Sequence, residues 1–70
     1  MTILTVSVPN PGALTDFDVE FHSEGVMKGT ALDVEEIMVD ILRDDANIPT
    51  VLIFDADWNE QLGRIDFQKA

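Results

Sequence analysis

Apolar and polar residues alternate along residues 3–8, with Leu4, Val6 and Val8 on one side and Thr5 and Ser7 on the other, the period of a half-buried strand. Pro9-Asn10-Pro11-Gly12 then predicts a turn, because two prolines remove backbone donors and glycine tolerates positive φ. Residues 16–22 alternate again. Phe17, Val19 and Phe21 fall on one side and Asp16, Asp18, Glu20 and His22 on the other, which predicts a second strand with one acidic face. Ser23-Glu24-Gly25 reads as a tight turn, and residues 26–31 as a short returning strand weakened by Gly29.

The period then changes. Asp33-Val34-Glu35-Glu36 has the pattern of a capping box, and Val34, Ile37, Met38, Ile41 and Leu42 recur at helical spacing, leaving Glu35, Glu36, Asp40 and Arg43 toward water. A helix is expected there, ended by Asp44-Asp45-Ala46-Asn47 and prevented from continuing by Pro49. Val51-Leu52-Ile53-Phe54 is a continuous apolar run and predicts a central strand covered on both faces. Residues 55–61 are polar and turn-rich, and residues 63–67 alternate, which predicts a closing hairpin. The expected order is β-β-β-α-β-β: a single α+β domain spanning residues 1–70, with a small antiparallel sheet and one amphipathic helix on one face. Its expected core is Leu4, Val6, Val8, Phe17, Val19, Phe21, Ile37, Met38, Ile41, Leu52, Phe54, Ile65 and Phe67.

Charge changes this ordinary picture. The 70 residues hold 14 Asp and Glu against four Lys and Arg, a formal charge of −10 that repels itself and weakens the compact state. A domain of this size draws only about 3 to 5 kcal/mol from its core, and with no cysteine it has no disulfide to add. Still, 46% hydrophobic residues are enough apolar surface for a folded chain. The chain begins with neither a basic nor a cleavable apolar segment, and no apolar run reaches the ~20 residues that span a bilayer, so a soluble cytoplasmic protein is expected.

No catalytic motif is present, and no enzyme activity or cofactor is expected. Asp55-Ala56-Asp57-Trp58-Asn59, followed by Leu62 and Asp66, partly matches a calcium-binding EF-hand loop, but Glu60 stands where the loop needs glycine and the flanks read as strands. A hairpin turn capped by Asp and Asn explains it better, and no metal site is expected. His22 is the only histidine and sits among acids, the pattern of a surface residue more than of a general base. Paired acids such as Asp16 with Asp18 or Asp55 with Asp57 suit glycoside chemistry only inside a cleft, which so small a domain has little volume to build.

Direct nucleic-acid binding is disfavoured, because Lys28, Arg43, Arg64 and Lys69 are few and scattered. The inverse fits better: carboxylates in place of phosphates, filling the basic groove of a nucleic-acid-handling protein. The expected contacts are Asp16, Asp18, Glu20, Glu35, Glu36, Asp40, Asp44, Asp45, Asp55 and Asp57, with Trp58 as an aromatic anchor. Asp44 and Asp45 support a role in binding, since the end of a helix disfavours anions. In size and charge alone, such a chain resembles phage-encoded inhibitors of host nucleases, CRISPR complexes, restriction enzymes and polymerases, which implies a viral protein in a host cytoplasm acting as a nucleic-acid mimic. Two alternatives use the same residues differently. One is an adaptor that dimerises through a sheet face or an edge such as residues 3–8, and the other a domain adapted to high salt whose charge has no partner.

Overall fold

The computed structural model describes residues 1–30 and 36–70. In chain order it contains β1 (Thr2–Val8), a 3-10 turn (Pro11–Ala13), α1 (Asp16–Lys28), β2 (Met38–Arg43), β3 (Pro49–Phe54) and β4 (Gln61–Lys69). The strands form one sheet in the order β1-β4-β3-β2. β2, β3 and β4 are antiparallel neighbours, whereas β1 lies parallel to β4, with Leu4 opposite Ile65 and Val6 opposite Phe67. One helix covers one face of the sheet, an α+β fold as expected. No helix among the described residues is long and apolar enough to cross a membrane.

Three expectations are corrected. The sheet is mixed, because β1 pairs with β4 and not with the segment that follows it. Residues 16–22 are the first half of α1, and Val26, Met27 and Lys28 are its last turn, so neither early strand exists. Thr15 caps this helix with a capping box that reaches Asp18, a start signal that outweighs the short alternation beyond it. Residues 38–43 are a strand instead of a helix. Val39 pairs with Ile53 and Ile41 with Val51 on the covered face, while Met38, Asp40 and Leu42 turn to the open one. The capping-box pattern that begins at Asp33, with Val34 and Glu35, lies outside the described residues. Asn47 does adopt a left-handed φ of 62°, but in the β2–β3 turn, and Pro49 opens β3 instead of closing a helix.

The core lies between the covered face and α1. Val51, Ile53 and Ile65 are fully buried, with Val8 and Phe67 nearly so, and α1 contributes Val19, Ser23 and Met27 at helical spacing. Ser23 is tolerated there because its hydroxyl donates to the Val19 carbonyl at 2.8 Å. β3 is covered on one face only, since Thr50, Leu52 and Phe54 stay half-buried on the other. Phe17 and Phe21, expected inside, are 76% and 68% exposed. Gly63 lets β1 close on β4: a Cβ there would meet the Thr2 carbonyl oxygen at 2.8 Å.

Ile65→Ala should therefore cost about 2 to 5 kcal/mol, most of the stability of a domain this small, while Phe17→Ser stays within about 0.5 kcal/mol of the parent. Gly63→Ala should cost about 1 to 3 kcal/mol through forced separation of β1 from β4. Urea denaturation of the three variants checks this. A Phe17→Ser chain as unstable as Ile65→Ala would contradict the placement of α1.

Candidate interaction surface

The site is built from the start of α1. The Thr15 hydroxyl accepts from the Asp18 amide at 3.1 Å, and the Asp18 carboxylate accepts from the Thr15 amide at 3.1 Å and its hydroxyl at 2.8 Å. These bonds favour the ionised carboxylate. The Thr15 hydroxyl first, then the Thr15 amide, with a smaller contribution from His22 one turn on, hold the Asp18 pKa below the usual aspartate range against a small opposing effect of burial. Asp16 is held separately, by Arg43 of β2 at 2.8 Å. Both acids lie in the first turn, where the helix dipole also favours them.

Past this turn, α1 presents a face that no other described residue covers. Phe17 and Phe21 stand one turn apart, and Glu20 and Glu24 line a shallow groove with them. Neither glutamate has an ion-pair or hydrogen-bond partner among the described residues, and both phenyl rings are mostly in water. His22 is exposed beside them, its ring edge-on to Phe21 at 6.2 Å and to Phe67 at 6.3 Å between centroids. On the helix surface the two rings lie side by side, with both carboxylates along the same flank of Phe17.

The remaining acids are dispersed and several have local roles. Asp44 accepts from the Ala46 and Ile48 amides, both at 2.9 Å, and shapes the β2–β3 turn, with Asp45 exposed beside it. These two follow a strand, so the argument from the end of a helix does not apply to them. Asp55 accepts from the Asp57 amide at 3.2 Å and the Asn59 amide at 2.8 Å, so this carboxylate organises the β3–β4 turn. Asp57 and Glu60 are exposed in the same turn. Among the described residues no group of three His, Cys, Asp or Glu side chains is placed to hold a metal ion. Trp58 takes a φ of 61° and leans on Phe54 at 5.3 Å over the open sheet face, half-exposed. Asp40 lies on that face opposite Leu52, Glu36 precedes β2 exposed, and Glu35 is outside the described residues.

The acids named from the sequence therefore do not form one surface. Asp16, Asp18 and Glu20 share α1, Asp44 and Asp45 share the β2–β3 turn, and Asp55, Asp57 and Trp58 share the β3–β4 turn. The residues missed as surface anchors are Phe17 and Phe21. Their signal was the Thr15-x-x-Asp18 box together with the helical spacing of Val19, Ser23 and Met27, which places both phenylalanines on the opposite side. No protein family, curated protein or solved structure matches the chain, so the geometry alone carries the functional reading.

Because the folded pKa of Asp18 lies below its unfolded value, its contribution to stability is complete above the unfolded pKa and is lost as pH falls through the folded one. Acid titration followed by circular dichroism should show this loss below the ordinary aspartate range. Asp18→Asn should be less stable at neutral pH and lose less on acidification. An unchanged acid profile in that variant would contradict the cap.

Proposed function

We propose that the protein is a stoichiometric binding module that occupies a basic surface of a nucleic-acid-processing partner, with the outer face of α1 as its contact. The observation that supports this reading is the combination, in one groove, of two exposed phenylalanines with two glutamates that have no partner among the described residues. Burying a Phe side chain is worth about 1.5 to 3 kcal/mol, so leaving two adjacent ones in water serves a surface meant to be covered. Aromatic anchors inside a polar rim are where interfaces concentrate their binding energy, while the rim charges steer encounter and reject wrong partners. A complementary surface carries Lys and Arg around an apolar depression. On a protein that handles nucleic acid, filling such a surface excludes the phosphate backbone and inhibits, the role of phage-type inhibitors of CRISPR and restriction complexes.

A second reading has its own observation. Carboxylates with no partner among the described residues also lie on the open sheet face at Asp40, in the β2–β3 turn at Asp45, and in the β3–β4 turn at Asp57 and Glu60. So even a spread suits a surface adapted to high salt better than one aimed at a single partner. Thermal melts across salt concentrations separate the two, since a salt-adapted chain unfolds in dilute buffer and a partner-directed one does not.

Capture of a partner from lysate at low salt, followed by salt titration, tests the primary reading. Affinity should fall with ionic strength, and Phe17→Ser/Phe21→Ser and Glu20→Lys/Glu24→Lys should each weaken it at least about tenfold, roughly 1.4 kcal/mol. Asp18 is left intact because changing it removes the helix cap. Folded variants that bind as well as the parent would place the contact elsewhere.

A further inference from the structure

The sheet ends on β1 at one side and β2 at the other, and the two edges differ in charge. β2 carries Asp40 and Arg43, whereas β1 has no ionisable side chain, and residues 1–15 contain no Asp, Glu, Lys or Arg in a chain of net charge −10. Charged side chains, prolines and bulges are how proteins keep edge strands from pairing, and β1 has none of them over its seven residues. Its inward-facing residues direct their backbone at β4: the Val8 carbonyl accepts from the Ala70 amide at 2.8 Å, and the Thr2 carbonyl lies against Gly63. Successive strand residues alternate in this respect, so Ile3, Thr5 and Ser7 aim their N–H and C=O groups at the free edge. Among the described residues, β1 pairs with β4 alone.

We propose that the protein forms a two-fold homodimer by antiparallel pairing of β1 with β1 of a second copy, centred on Thr5. Charge selects the occupant. A second copy brings the same −10 and is repelled by the acidic surfaces, but at β1 its backbone meets no carboxylate. The pattern selects the register. A two-fold axis at Thr5 sets Ile3 of one copy opposite Ser7 of the other and Thr5 opposite itself, so every outward N–H and C=O of the three residues meets a partner. The same register puts Leu4 beside Val6 of the other copy and covers the half-exposed edge of the core, whereas an axis between residues sets apolar positions against polar ones. The axis is perpendicular to the sheet, and both helices lie on one face of an eight-stranded sheet. This dimer stands independently of the partner proposed for α1.

Sedimentation of the full chain over a range of concentrations tests it at low and high salt. The dimer should tighten as salt screens the like charges, the reverse of the dependence expected for a basic partner. Thr5→Pro removes an outward donor and leaves the β1–β4 bonds in place, and should weaken dimerisation at least about tenfold. The chain has no cysteine, so single introduced thiols report the register. Under mild oxidation Thr5→Cys should give a covalent dimer, its Cα atoms about 5.5 Å apart across the axis, and Ser7→Cys should not, because its counterpart lies beyond disulfide reach. A parent monomeric throughout, a folded Thr5→Pro that dimerises like the parent, or a Ser7→Cys chain that cross-links as fast as Thr5→Cys overturns the proposal. If Thr5→Pro does not fold, the two cysteine variants decide.

Discussion

Arg43 ties three segments together at one end of the molecule. Its guanidinium donates to Asp16 at 2.8 Å, to the Leu14 carbonyl at 3.0 Å and to the Asn47 carbonyl at 2.9 Å, while the Asn47 side chain donates to the Gly12 carbonyl at 2.8 Å. The Arg43 side chain is only 21% exposed, so these charge-assisted bonds are less screened than those of the open Arg64–Asp66 pair. They hold the start of α1 over the end of β2 and favour one rotation of the helix about its axis. That rotation matters because Phe17 and Val19 are two residues apart, about 200° around an α-helix, and cannot both face the sheet. With Val19, Ser23 and Met27 turned inward, Phe17 and Phe21 are turned out.

Local bonds also explain why a charge of −10 is not uniformly a cost. Asp16, Asp18, Asp44, Asp55 and Asp66 have local work as ion-pair partner, helix cap or turn former. Glu20, Glu24, Asp40, Asp45, Asp57 and Glu60 have no such partner among the described residues. Net charge therefore overstates the carboxylates free to meet another molecule. It also makes the uncharged β1 edge stand out, since the other described edge strand, β2, carries Asp40 and Arg43.

The parts of the fold legible in the sequence were those whose pattern had one interpretation. β1, β3 and β4 fall where alternation or a continuous apolar run places them, and the acidic turn at Asp55 is built by its own side chain as turn chemistry predicts. The middle of the chain was misread because two periods compete there. Residues 17–21 alternate perfectly, yet only Val19 of that set goes inward, and the true stripe passes through the polar Ser23, which erases its apolar signal. Residues 37–42 are apolar at nearly every position, so a helical spacing can always be picked out of them, and sheet pairing with β3 decides the outcome. The parallel partner of β1 is four elements away in the chain, which no local pattern reports. The candidate site was half legible: Glu20 was named from charge, but its phenylalanine neighbours were assigned to the core.

The outward rotation of α1 is the claim on which the interaction surface rests, and proton–proton contacts in an isotopically labelled sample measure it directly. Contacts are expected from the Val19 and Met27 methyls to Val51, Ile53 or Ile65, and none from the Phe17 ring to any buried sheet residue. Contacts from the Phe17 and Phe21 rings to those sheet residues, with Val19 free of them, would contradict that rotation.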